Sequence, residues 1–141
     1  MFLHLFMNSL KKGKTTSSEP TKSELEILQV LWQFGPSTAR FVNDHLNREK
    51  REVIYMSTLK LMQIMVEKGF LSKDESQLRH IYSAAVDENK TKGVMLDKVV
   101  DTLFNGSASS LMMQLLGNNK QQLTPEEVEE FRNLIAKMDQ K

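Results

Sequence analysis

The stretch that most restricts the fold runs from Arg51 to Val86, REVIYMSTLKLMQIMVEKGFLSKDESQLRHIYSAAV. Leu59, Met62, Met65 and Val66 recur at spacings of three and four, the period of a helix with one face against a core. Lys68 falls in the last turn of that helix, where a cation is favoured, and Gly69 tolerates a left-handed position just past its end. Two short runs follow, Phe70-Leu71-Ser72-Lys73 and Arg79-His80-Ile81-Tyr82-Ser83. The polar Asp74-Glu75-Ser76-Gln77-Leu78 between them predicts a β-hairpin. What precedes this helix and hairpin decides the architecture they belong to.

Upstream, Thr21-Lys22-Ser23-Glu24 forms a capping box, in which the Thr hydroxyl and the Glu carboxylate each accept an otherwise unpaired backbone N–H. The helix it opens carries Leu25, Leu28, Leu31 and Trp32 on one face, widened by Ile27 and Val30, and stops at Gly35-Pro36. Trp32 reads as a core anchor. Ser37 or Thr38 can cap a second helix containing Ala39, Phe41, Val42 and Leu46, with His45 on its surface. Asn47-Arg48-Glu49-Lys50-Arg51-Glu52 is a charged connection into the third helix. Two helices, a third that reads and a hairpin behind it make the order of a winged helix-turn-helix, an architecture used to bind DNA.

In that architecture the N-terminal turn of the third helix, about Tyr55 to Lys68, points into the major groove. Tyr55, Met56, Ser57 and Lys60 are therefore the first candidates for DNA contact. Arg48, Lys50 and Arg51 are candidate phosphate contacts, and Lys73, Arg79 and His80 in the hairpin can approach the backbone beside the groove. Leu61 and Ile64 lie on the outer side of the helix, where polar groups would read bases most directly. Two readings stay open for them: contact with thymine methyls, or cover by protein.

The chain has 141 residues and a formal charge of +1, so the arrangement of charge matters more than its total. Residues 1–20 carry +2, residues 21–86 carry +1 and residues 87–141 carry −2. That is a weak gradient for a DNA binder, whose affinity draws on phosphate neutralisation. The absence of cysteine excludes a disulfide scaffold, thiolate metal sites and thiol catalysis, and fits a reducing, cytoplasmic compartment. The three histidines have no partners at metal-ligand spacing, so no metal or other cofactor is expected, nor is a small-molecule ligand. No segment approaches the roughly 18–20 apolar residues of a membrane span. Met1-Phe2-Leu3-His4-Leu5-Phe6-Met7 is apolar but short, and Asn8 to Pro20 is rich in Lys, Ser and Thr, so residues 1–20 are expected to form a disordered arm.

After Val86, Asp87-Glu88-Asn89-Lys90 reads as a polar link. Val94, Leu96, Val99, Val100, Leu103 and Phe104 follow at helical spacing up to Asn105-Gly106. Ser107-Ala108-Ser109-Ser110 opens a short apolar piece that closes at Gly117-Asn118-Asn119. Thr124-Pro125-Glu126-Glu127 is a second capping box with Pro at the first helical position, leading a stripe of Val128, Phe131, Leu134, Ile135 and Met138. Three short amphipathic pieces without a core of their own need a partner, and a second copy is the economical one. The nine Met residues fit adaptable packing in these stripes. The expected fold is mainly α with a small β-hairpin: arm 1–20, winged-helix DNA-binding domain 21–86, and helical dimerisation region 87–141.

Tyr55-Met56-Ser57-Thr58-Leu59-Lys60, Glu67-Lys68-Gly69-Phe70-Leu71 and His80-Ile81-Tyr82-Ser83 together resemble the BlaI/MecI/CopY family of bacterial repressors. Thr21-Lys22-Ser23-Glu24-Leu25-Glu26-Ile27-Leu28 with Trp32 is similar to that family's first helix, and Leu123-Thr124-Pro125-Glu126-Glu127-Val128-Glu129-Glu130-Phe131 to its last. The resemblance covers about Thr21 to Lys137. It implies a homodimer with N-terminal winged helices on a palindromic, double-stranded operator and a C-terminal helical dimerisation region. The copper-responsive branch carries a cysteine hook that this chain lacks. The β-lactam-responsive branch is inactivated when a membrane sensor protease cuts the dimerisation region. Ser110-Leu111-Met112-Met113-Gln114-Leu115 resembles the segment around that cut, which would fall between Gln114 and Leu115 in a loop-like stretch. Relatives more often have Asn-Phe there, and many carry Thr and Arg where this chain has Leu61 and Ile64.

The expected function is that of a dimeric transcriptional repressor. The alternative is a winged-helix adaptor that docks another protein without specific DNA binding. An enzyme is not expected: no spacing groups a nucleophile, a base and an orienting residue, and no Gly-rich phosphate loop is present.

Overall fold

A computed structural model describes residues 19–118 and 123–139. The apolar run Met1–Met7 and most of the expected arm lie outside the described residues. Six helices and one two-stranded sheet are described: α1 (Lys22–Phe34), α2 (Ala39–Glu49), α3 (Tyr55–Lys68), β1 (Leu71–Asp74), β2 (Ile81–Ala84), α4 (Glu88–Leu103), α5 (Ala108–Gly117) and α6 (Pro125–Met138). The chain divides into two compact units, with the boundary between Met95 and Leu96 inside α4.

In the first unit the capping box forms as expected. Thr21 N–H donates to Glu24 Oε1 at 2.8 Å, and Glu24 N–H donates to Thr21 Oγ1 at 3.2 Å. The apolar stripe of α1 buries Ile27, Leu28, Val30 and Leu31 against Val42 and Leu46 of α2 and Met62 and Met65 of α3. Phe70, Leu71 and Tyr82 of the hairpin close this core. Trp32 anchors as expected, its indole N–H donating to Val86 O at 3.1 Å. Packing starts before the capping box, since Pro20 is already buried.

Thr38 caps α2 by accepting from Phe41 N–H at 3.1 Å, while the Ser37 hydroxyl donates to Gly35 O. Phe41 lies outside the core: it is exposed, with its ring edge-on to Phe34 at 5.4 Å. The helical turn that buries Ala39, Val42, Asn43 and Leu46 carries Phe41 away from the core. α3 ends at Gly69 with φ 86°, the left-handed position expected there. β1 and β2 pair antiparallel with Lys73 opposite Tyr82, and Ser37 adds one bridge to Tyr82 through backbone hydrogen bonds of 2.8 and 2.9 Å.

Asp87-Glu88-Asn89-Lys90 is not the link expected. Asp87 Oδ2 accepts from Lys90 N–H at 2.9 Å, so Asp87 caps α4 and the helix begins at once. In the second unit Asn105 and Gly106 both adopt positive φ, which ends α4, and the Ser107 hydroxyl accepts from Ser110 N–H at 3.1 Å to start α5. Gln114 and Leu115 therefore sit inside a helix and not in a loop. The capping box of α6 forms, with Thr124 N–H on Glu127 Oε1 at 2.9 Å and Glu127 N–H on Thr124 Oγ1 at 3.1 Å. No described residue of α4, α5 or α6 is buried. Among the described residues no helix is long and apolar enough to cross a membrane.

Candidate nucleic-acid interface

The position of α3 is set by a polar network that starts on α2. Asn43 is 5 % exposed, and its side-chain amide donates to Val53 O at 3.0 Å and to the buried Thr58 hydroxyl at 2.9 Å. Asn47 donates to Val53 O at 2.9 Å and accepts from Val53 N–H at 3.2 Å. The link between the two helices is thus held at Val53 from both of its polar atoms, and the first turn of α3 is held at Thr58. Such a network fixes one geometry because each buried polar group in it is satisfied.

That geometry brings the first turn of α3 against the start of α2 and the hairpin. A cleft of about 510 Å³ lies between them. Tyr55, Leu59 and Gln63 line it from α3, Arg40 from α2 and Thr38 from the cap before it, and Lys73, Arg79 and His80 from the hairpin. The guanidinium of Arg40 stacks over the Tyr55 ring, 3.9 Å from its centroid. Such stacking orders a long cationic side chain that would otherwise move freely. Lys73 pairs with Glu75 at 2.8 Å, and this hydrogen bond raises the pKa of its ammonium. At the hairpin turn, Ser76 N–H donates to Asp74 Oδ1 at 2.9 Å, and bonding from Ser76 lowers the pKa of that carboxyl. Burial of Tyr82 beneath the cleft pushes its phenol up.

Four of the residues expected to touch DNA, Tyr55, Lys73, Arg79 and His80, therefore share one cleft. Three others, Met56, Ser57 and Lys60, line a shallow hollow on the adjoining face of α3 with Leu61 and Ile64. Arg48 and Lys50 are exposed at the end of α2 and line neither surface. Arg51 is engaged elsewhere: its guanidinium pairs with Glu26 on α1 at 2.9 Å and reaches Ser23 at 3.4 Å. Gln114 and Leu115 belong to the second unit.

Arg40 and Gln63 were not singled out from sequence. Helical periodicity marks both as outward-facing, yet the meeting of Arg40 with Tyr55, across the turn between α2 and α3, is a tertiary fact. The arrangement holds no candidate catalytic set, and among the described residues no three His, Asp or Glu side chains gather at metal-binding distance. What it offers is a cationic concavity beside an exposed helix face.

A family model described as "Penicillinase repressor" matches residues 20–137. The methicillin resistance regulatory protein MecI of Mammaliicoccus sciuri is 21 % identical over 119 residues, which span 84 % of this chain and 94 % of the relative. MecI of Staphylococcus aureus strain N315 is similar to the same extent. A relative described as an uncharacterized 16.5 kDa protein in the ptsI 3′ region of Latilactobacillus sakei is 28 % identical over 128 residues, spanning 79 % of this chain and 87 % of its own length.

Proposed function

Because the chain belongs to the penicillinase repressor family, a family of transcriptional repressors and not of enzymes, we propose that it represses by occupying an inverted-repeat operator in double-stranded DNA as a homodimer. The observation that carries this reading is the cleft in which Tyr55 of α3 meets Arg40, Lys73, Arg79 and His80. In the proposed complex α3 enters the major groove, and the cations of the cleft neutralise phosphates along the adjacent strand. Tyr55, Met56, Ser57 and Lys60 face the groove, while Lys73, Arg79 and His80 approach the backbone. Arg48 and Lys50 are more distant phosphate contacts, and Arg51 can join them only by leaving Glu26.

The dimer is supported by what α5 and α6 leave uncovered. Met113, Leu116, Leu134, Ile135 and Met138 are all exposed, a demand for apolar cover that a second copy would meet with the same residues. Two subunits on one operator also compensate for a near-neutral reader, since tethering the second contact raises its effective concentration. The site of action is the cytoplasm, where the operator is.

Release by a membrane sensor protease cutting between Gln114 and Leu115 is the second part of the proposal. α5 must unwind locally before a protease can take that bond, because cleavage needs an extended backbone. A protein cut there that remains dimeric and DNA-bound would refute this route of induction.

The rival reading is an adaptor docking another protein, favoured by the apolar Leu61 and Ile64 on the face of α3. The decisive experiment selects short fragments of the source genome on the purified protein, at about physiological salt and again at higher salt. A few sites sharing an inverted repeat, lost as salt rises, support the repressor. No enrichment by a folded dimer favours the adaptor. Lys60→Ala with Arg79→Ala gives the complementary test, since loss of DNA retention with dimerisation intact is expected only of the repressor.

A further inference from the structure

We infer that Met56, Leu61 and Ile64 form an apolar strip that reads thymine methyl groups in the major groove, so that sequence preference arises largely from apolar contact. The inference rests on the DNA-binding reading above and names the base chemistry which that surface selects.

The three side chains border one hollow on α3, together with Ser57 and Lys60. Their mobilities differ in a useful way. Leu61 packs partly against the core, which fixes its direction. Ile64 is half-buried without joining the core cluster, and its β-branch restricts it to few rotamers. Met56 is 64 % exposed and can adapt to a surface laid on it. Only two polar side chains, Ser57 and Lys60, border the hollow with them.

In the major groove each base pair presents donors and acceptors, and the thymine C5-methyl is the apolar group on those edges. An apolar side chain pressed onto a G·C edge strips water from polar atoms and returns no hydrogen bond. The same side chain on a thymine methyl removes apolar surface from water on both partners. The strip therefore discriminates by penalty and by gain together. Charge favours DNA as the occupant: Lys60 stands in the hollow, and Arg40 and Arg79 line the neighbouring cleft, where Lys73 is already paired with Glu75. An uncharged protein surface would leave Lys60, Arg40 and Arg79 without a counter-charge.

The test begins with selection from a random-sequence duplex library on the full chain. The selected duplex is then resynthesised with deoxyuridine in place of thymidine at one position at a time, which removes a methyl and nothing else. Affinity should fall on the order of fourfold for each methyl in contact. Met56→Ala, a change at an exposed position that leaves the core intact, should erase the penalty at its own thymine while leaving the salt dependence unchanged. A selected site that tolerates uridine at every position overturns the inference and leaves DNA binding standing. Failure to select any site overturns the DNA reading itself, so the two failures are distinct.

Discussion

Lys68 Nζ lies 2.8 Å from Glu24 Oε2 and joins the last turn of α3 to the first turn of α1. The Glu24 side chain is 1 % exposed and that of Lys68 is 25 % exposed, so the carboxylate is the deeper partner. Glu24 also accepts from Thr21 N–H, so one buried carboxylate both caps α1 and receives α3. Lys68→Ala leaves that carboxylate short of a donor and should destabilise the first unit by roughly 1–3 kcal/mol in chemical denaturation. Glu24→Gln, which can still accept from Thr21, should cost less.

The same pair sets an acid response. Burial alone would raise the Glu24 pKa, but the Lys68 hydrogen bond, the bond from Thr21 and the Lys68 charge outweigh it, leaving the group below its ordinary value of 4.5. A carboxyl depressed in the folded state contributes stability that is present above the unfolded pKa and is lost as pH falls through the folded one. Unfolding free energy should therefore hold level from neutral pH down to about 5 and decline on further acidification. In Lys68→Ala the part of that decline owed to Glu24 should shrink, as denaturation midpoints at stepped pH will show.

Asn43→Ala should cost about 1–3 kcal/mol, because the buried Thr58 hydroxyl and Val53 O each lose a donor. The larger consequence is for function. With the turn between α2 and α3 loosened, DNA affinity should drop even at temperatures where the variant is fully folded, which circular dichroism and a binding titration together will separate.

Arg40→Ala should weaken binding to all duplexes alike and reduce the magnitude of the slope of log K against log salt by about 1. Tyr55→Phe keeps the ring beneath the guanidinium and should change that slope little. Tyr55→Leu removes the ring and should move partway toward Arg40→Ala. A titration of each variant across salt concentrations checks all three.

Ser107→Ala removes the side-chain acceptor that starts α5 and should cost that helix about 1 kcal/mol. Opening then becomes about fivefold more frequent, and limited proteolysis within residues 108–117 should accelerate by a similar factor. An unchanged cutting rate would mean that the protease does not wait on unwinding of α5.

Much of the fold was legible because its signals act over three or four residues. Thr21 with Glu24 and Thr124 with Glu127 state where two helices start, Gly69 states where α3 ends, and the spacing in α1 states which side faces inward. The misreadings share a cause. Asp87 looks like the start of a polar link until its carboxylate is seen capping α4, and Gln114-Leu115 looks loop-like because flanking Ser and Gly outweigh a short apolar run.

Sequence alone determined the order of elements and most of the outward residues of α3, since helix periodicity and capping are local and nearly independent of what packs nearby. Tertiary structure decided the partners: that Lys68 meets Glu24, that Trp32 meets Val86, that Arg51 turns to Glu26, and that Arg40 covers Tyr55. A pattern of burial tells which face of a helix turns inward. It does not tell which distant side chain that face or its edge will meet, because that depends on how the chain closes between them.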